Sequence, residues 1–85
     1  MNLEALRGQI DEIDRDLTAL FLRRLAVADE IAAVKAAQGL PIFQPEREQA
    51  VLDTVCAGAP EELRSYLTQF YKTVFDLSRQ RQGER

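Results

Sequence analysis

Residues 2–38, near the start of the chain, predict one long helix: NLEALRGQIDEIDRDLTALFLRRLAVADEIAAVKAAQ. It contains no proline, and its apolar residues recur at alternating spacings of three and four. That period is typical of a helix that presents one continuous apolar face to a partner. Asn2 can cap its start, and Gly39 followed by Pro41 can end it. We call the apolar face the seam; its residues are Leu3, Leu6, Ile10, Ile13, Leu17, Leu20, Val27, Ile31 and Val34.

This predicted helix is too long for the domain that contains it. At ~1.5 Å per residue it would span roughly 54 Å, whereas a compact domain of this size has a radius of gyration of about 12 Å. The chain has 85 residues, enough for one domain over residues 1–85 with a core that would be marginal alone. We therefore expect the helix to extend beyond its own protomer and a second copy to cover it, in an intertwined homodimer.

Two shorter helices are predicted after a connector. The connector, residues 39–44, should direct Leu40, Ile42 and Phe43 inward. Pro45 suits the first position of a helix that runs to about Ala57.

The third helix should begin at Pro60, followed by two acids that complement the positive end of the helix dipole. Its apolar stripe continues into Ser78 and Gln82, which are either a fraying end or the lining of a polar pocket. The predicted fold is therefore all-α, with three helices per protomer.

Composition excludes several classes of function. Fourteen acidic and eleven basic residues give a net charge of −3, which argues against nucleic acid as a partner. The single Cys56 and the absence of histidine argue against a disulfide framework and a structural zinc site, and we expect no metal or cofactor. No signal peptide or membrane-spanning run is evident, so the expected location is cytoplasmic, without membrane contact. Phosphate loops and nucleophile elbows are also missing, which leaves binding, or a reaction that needs only orientation and electrostatic complementarity.

Arg24 interrupts the seam between Leu20 and Val27. The simplest interpretation is an arginine that reaches solvent or a carboxylate. Lys35, however, returns to almost the same helix face, with its Cα ~16 Å further along the axis, a gap that two long side chains can close onto a small ligand. Arg7 is about 25 Å from Arg24 on one rigid helix, but in an antiparallel dimer it would approach the other chain's cations. Three converging cations would suit a small dicarboxylate; otherwise Arg7 is a solvated charge.

Several segments, taken together, resemble the all-helical family of chorismate mutases. They are Leu6-Arg7, Ile10-Asp11-Glu12-Ile13-Asp14, the interval from Arg24 to Lys35, Pro41-Ile42-Phe43-Gln44-Pro45-Glu46-Arg47-Glu48, and Ser78 to Gln82. The resemblance implies an intertwined dimer of three-helix protomers. It also implies the Claisen rearrangement of chorismate to prephenate, with no covalent intermediate, general base or cofactor.

The resemblance assigns catalytic and binding roles residue by residue. Arg24 is similar to the arginine that binds one substrate carboxylate within the protomer, and Arg7 to the arginine that the second chain supplies to the other carboxylate. Lys35 matches the lysine that contacts a carboxylate and the ether oxygen. Gln82 matches the second donor to that oxygen.

Four further positions are implied at the site. Glu48 resembles the acceptor for the ring hydroxyl, although by pattern alone it is an ordinary acid near a helix N-terminus. Ser78 resembles a serine near a carboxylate. Arg47 matches an arginine that supports the site, or is simply a solvated partner for a neighbouring carboxylate. Gln44 stands where relatives often have aspartate; its backbone N–H can still contact the ring hydroxyl, but glutamine caps a helix less well.

Two other functions fit parts of the same pattern. An isochorismate-pyruvate lyase would share the fold and the three cations. Its substrate carries the ring hydroxyl at another position, so a hydrogen-bond acceptor at Glu48 would be of less use to it. A non-catalytic helical dimerisation or regulatory module would explain the seam, but not two cations on it.

Overall fold

The computed structural model describes residues 2–83, and within that range every regular element is helical. Helix α1 spans Leu3–Gln38, α2 spans Pro45–Ala57, and α3 spans Arg64–Arg81, with a short 3₁₀ helix at Glu61–Leu63 before α3. The predicted all-α fold with three main helices is confirmed. No helix in the described range is both long and apolar enough to cross a bilayer.

Local signals fix both ends of α1. The Asn2 side chain accepts a hydrogen bond from the Ala5 backbone N–H at 2.9 Å. Gly39 ends the helix in the left-handed conformation, with φ 67° and ψ 27°, and the following N–H, that of Leu40, donates to the Lys35 carbonyl at 2.9 Å. The protomer is consequently elongated, measuring 55 × 26 × 20 Å with a radius of gyration of 15.9 Å. A compact domain of this length would have a radius of about 12 Å.

The third helix begins later than predicted. The Leu63 backbone N–H donates to the Pro60 carbonyl at 2.9 Å, which closes a 3₁₀ turn, and α3 starts only at Arg64. Such turns are frequent at helix N-termini, and proline followed by acids favours either kind of turn.

The inward orientation expected for the connector was wrong for two of its three apolar residues. Ile42 is half-buried, but Leu40 and Phe43 are 48% and 49% exposed. Neighbouring side chains of an extended segment point to different sides, so Ile42 and Phe43 cannot both face the interior.

The core of the protomer is small and lies where α3 crosses the C-terminal half of α1. Its buried residues are Ala28, Val74, Phe75 and Ser78. The seam contributes nothing to it, because all nine seam residues are between 39% and 62% exposed. A single chain therefore leaves about half of the surface of the seam residues uncovered.

Candidate functional site

A cavity of about 320 Å³ lies between the C-terminal half of α1, the connector, α2 and α3. This volume is at the lower end of the range for small-molecule sites, roughly 300–1,000 Å³. Its polar and charged lining consists of Arg24, Lys35, Gln44, Arg47, Glu48, Ser78, Arg79 and Gln82. Seven of the eight residues singled out from the sequence therefore line one cavity. The eighth, Arg7, is exposed on the N-terminal half of α1 and does not line it.

Arg24 is directed across the cavity to α3. Its NH1 donates a hydrogen bond to Ser78 Oγ at 2.8 Å, and its guanidinium carbon lies 5.6 Å from the centre of the Phe75 ring. Ser78 is only 6% exposed, so it belongs to the packed part of α3 and not to a fraying end. The interruption of the seam at Arg24 thus corresponds to a half-buried cation held by α3.

Lys35 is held by two acceptors. Its Nζ donates to the Ile42 carbonyl at 2.6 Å and to Gln82 Oε1 at 3.0 Å. Gln82 caps α3, and its backbone N–H donates to the Ser78 carbonyl at 3.0 Å, which fixes the residue close to the chain end. Because the amide oxygen faces Lys35, the amide Nε2 remains as a donor for a ligand.

Glu48 is paired with an arginine that the sequence analysis missed. Arg79 NH1 donates to Glu48 Oε2 at 2.6 Å, and the two side chains are 20% and 24% exposed. A sequence signal for Arg79 did exist: Phe75, Arg79 and Gln82 follow the spacing i, i+4, i+7, which places them on one face of α3.

The remaining two residues lie where α2 begins. Gln44 is the N-cap residue, and its side chain makes no cap hydrogen bond; its Nε2 instead donates to the Pro41 carbonyl at 3.0 Å. The poor capping expected of glutamine is thereby confirmed. Arg47 is exposed in the first turn of α2 and lines the cavity.

The cavity is cationic in an acidic chain. The part of the lining formed by residues 2–83 contains four cations, Arg24, Lys35, Arg47 and Arg79, and one carboxylate, that of Glu48, whereas the whole chain carries a net charge of −3. In a partly desolvated cleft, such a cluster attracts and orients an anion more strongly than the same charges would in bulk water. The arrangement suits a small molecule with two negative charges and a hydroxyl group.

Comparison with known proteins gives a consistent result. Residues 6–83 match the family described as chorismate mutase type II. The chain is 48% identical over 50 residues to a T-protein from Haemophilus influenzae, covering 59% of this chain and 13% of that protein. It is 41% identical over 66 residues to a T-protein from Enterobacter agglomerans, covering 72% of this chain and 18% of the relative.

A third relative carries the name chorismate mutase. The chain is 38% identical over 53 residues to a chorismate mutase from Methanocaldococcus jannaschii, covering 62% of this chain and 54% of that protein. The chain therefore spans between about an eighth and about half of the length of these relatives. No solved structure matches it significantly.

Proposed function

Because the chain belongs to the type II chorismate mutase family, we propose that it rearranges chorismate to prephenate in the cavity between α1, α2 and α3. The observation that carries this proposal is the convergence of Arg24, Lys35, Glu48 and Gln82 on one cavity of about 320 Å³. The reaction breaks the ether C–O bond and forms a C–C bond within one molecule. It needs a compact substrate conformer and a donor for the ether oxygen, and no proton transfer.

Conformer selection is the first task of the site. Arg24, anchored by Ser78, would bind one substrate carboxylate. Arg7 of the partner subunit would bind the other. Holding both carboxylates brings the two reacting carbons together, which removes much of the entropic cost of the reaction before it begins.

Stabilisation of developing charge is the second task. Negative charge grows on the ether oxygen as the C–O bond lengthens, so a donor aimed at that oxygen stabilises the transition state more than the substrate. Lys35 and the Nε2 of Gln82 are adjacent donors, since their side chains already share a hydrogen bond of 3.0 Å. Both would act on the ether oxygen.

Glu48 distinguishes between the two candidate reactions. Its carboxylate lines the cavity beside the four cations and can accept a hydrogen bond from the ring hydroxyl of chorismate. Isochorismate carries that hydroxyl at another ring position. We therefore favour the mutase over an isochorismate-pyruvate lyase.

The complete site requires a homodimer. Nine seam residues are 39–62% exposed in one protomer, and only three apolar residues within the described range 2–83 are buried. Covering the exposed half of nine large apolar side chains would contribute on the order of 10 kcal/mol before the entropic cost of association. An antiparallel arrangement would cover both seams and bring Arg7 to the partner's cavity.

The test is turnover by the purified chain. Chorismate consumption is followed by ultraviolet absorbance, products are identified by chromatography, and isochorismate is assayed in parallel. We expect prephenate from chorismate and little pyruvate or salicylate from isochorismate. The opposite product pattern would support the lyase, and no turnover by a folded dimer would support the non-catalytic module.

A further inference from the structure

We propose that Arg79 is a positioning residue that holds Glu48 in the orientation needed to accept the substrate's ring hydroxyl. This inference rests on the proposed function. Arg79 is on α3 and Glu48 is on α2, so their contact joins two of the helices that line the cavity. A hydrogen bond of 2.6 Å between ionised groups that are each about four-fifths covered is short and strongly orienting.

The contact uses one carboxylate oxygen and leaves the other for a ligand. Arg79 NH1 is bonded to Oε2 of Glu48, and within residues 2–83 no side chain or backbone group donates to Oε1. A carboxylate oxygen has two lone pairs, so Oε1 can accept the ring hydroxyl while Oε2 stays bonded to Arg79. The ion pair with Arg79 thus fixes the Glu48 side chain without using Oε1, the oxygen proposed to accept the ring hydroxyl.

The arginine is itself oriented from a third element. Its guanidinium carbon lies 5.0 Å from the centre of the Phe43 ring in the connector, within cation–π range. Asp76, one turn earlier on α3, is further away, with its Oδ1 3.8 Å from Arg79 NH2. The contacts of Arg79 with Glu48 and Phe43 therefore connect α3 to α2 and to the connector, two of the elements that line the cavity.

Without Arg79, Glu48 could form an ion pair with another cation of the cavity. Arg24, Lys35 and Arg47 line the same cavity, and a glutamate has three rotatable bonds with which to reach them. Pairing with Lys35 would neutralise the charge proposed to stabilise the ether oxygen. Arg79 therefore keeps the acceptor for the hydroxyl separate from the donor for the ether oxygen.

The test is a double-mutant cycle on kcat/KM for chorismate. Arg79→Met keeps the aliphatic stem and removes the charge; we expect a loss of about ten-fold, below the 10²-fold that a full 1 Å misplacement can cost. In the Glu48→Gln background the same change should lower kcat/KM by less than about two-fold, because the effects of substituting two residues that act through one another are not additive. Arg79→Lys should recover most of the loss. With a chorismate analogue that lacks the ring hydroxyl, Arg79→Met and the unmodified chain should differ by less than about two-fold.

The chain offers a matched control. Arg81, two residues later on α3, also pairs with a carboxylate: its Nε and NH2 donate to Asp29 at 2.8 and 3.0 Å, outside the cavity. Arg81→Met removes an arginine–carboxylate pair from the same helix, although a more exposed one, and should leave kcat/KM unchanged.

Three results would overturn the inference while the unmodified chain remains active. They are unchanged kcat/KM in Arg79→Met, a full loss that persists in the Glu48→Gln background, and an equal loss with the analogue. Should Arg79→Met fail to fold, Arg79→Gln takes its place in the same cycle. An unmodified chain that does not turn over chorismate would overturn the proposed function itself, and the inference with it.

Discussion

Replacing Lys35 with methionine removes one positive charge from the cavity and keeps most of the side chain's packing. The ammonium group donates to the Ile42 carbonyl at 2.6 Å and to Gln82 Oε1 at 3.0 Å. Methionine has a similar unbranched stem, so the contacts of the stem along α1 should be preserved. The substitution therefore isolates the charge and its hydrogen bonds.

The expected effects on stability and on catalysis differ in size. Two hydrogen bonds from a charged group are lost, but Lys35 is only half-buried, so water can replace part of the loss. We therefore expect the free energy of unfolding to fall by roughly 1–2 kcal/mol. Loss of a donor to a developing oxyanion typically costs about 2.7–4 kcal/mol of transition-state stabilisation, or 10²–10³ in kcat. Activity should consequently fall far more than stability.

Both quantities are measured on the same samples. Initial rates of chorismate consumption give kcat, and thermal unfolding by circular dichroism gives the melting temperature. Lys72→Met is the matched control, because Lys72 is exposed on α3 and does not line the cavity. A Lys35→Met protein that retained kcat within about three-fold of the unmodified chain would refute the electrostatic role derived for this residue.

Two further predictions concern assembly and stability. Ile13→Asp places a carboxylate on the seam, where the unmodified residue is 57% exposed in one protomer, and burying it unpaired would cost several kcal/mol. We expect analytical ultracentrifugation to show a monomer without mutase activity, and an active dimer would contradict the proposed interface. Gln44→Asp supplies the side-chain cap that α2 lacks and should add about 1 kcal/mol to the free energy of unfolding. A melting temperature equal to or below that of the unmodified chain would contradict this expectation.

Most of the fold could be predicted from local signals. The start and end of α1 were placed to within one residue, because Asn2 and Gly39 are the cap residues that the backbone uses. The start of α3 was missed by a turn, because a proline and two acids favour α and 3₁₀ turns alike. The exposure of Leu40 and Phe43 was missed because periodicity does not apply to a short connector.

The candidate site could be predicted in part. Seven residues singled out from the sequence line the cavity, since helix periodicity and the family resemblance both constrain which faces meet. Arg79 was not predicted, because it lies between Ser78 and Gln82 but outside their stripe. An arginine at such a helix position is usually a solvated surface residue. Its ion pair with Glu48 spans 31 positions of sequence and depends on how α2 packs against α3. The spacing of Phe75, Arg79 and Gln82 places Arg79 on the face of α3 that lines the cavity, but no local pattern predicts its pairing with Glu48.

The most direct test of a cationic site completed by a second chain is complementation between two inactive variants. Arg7→Ala and Arg24→Ala are purified separately, mixed in equal amounts, unfolded and refolded together. About half of the resulting dimers are mixed, and each mixed dimer has one site with both arginines, so we expect about a quarter of the unmodified activity. Activity no higher than that of the separate variants, in a mixture shown to contain mixed dimers, would contradict the shared site.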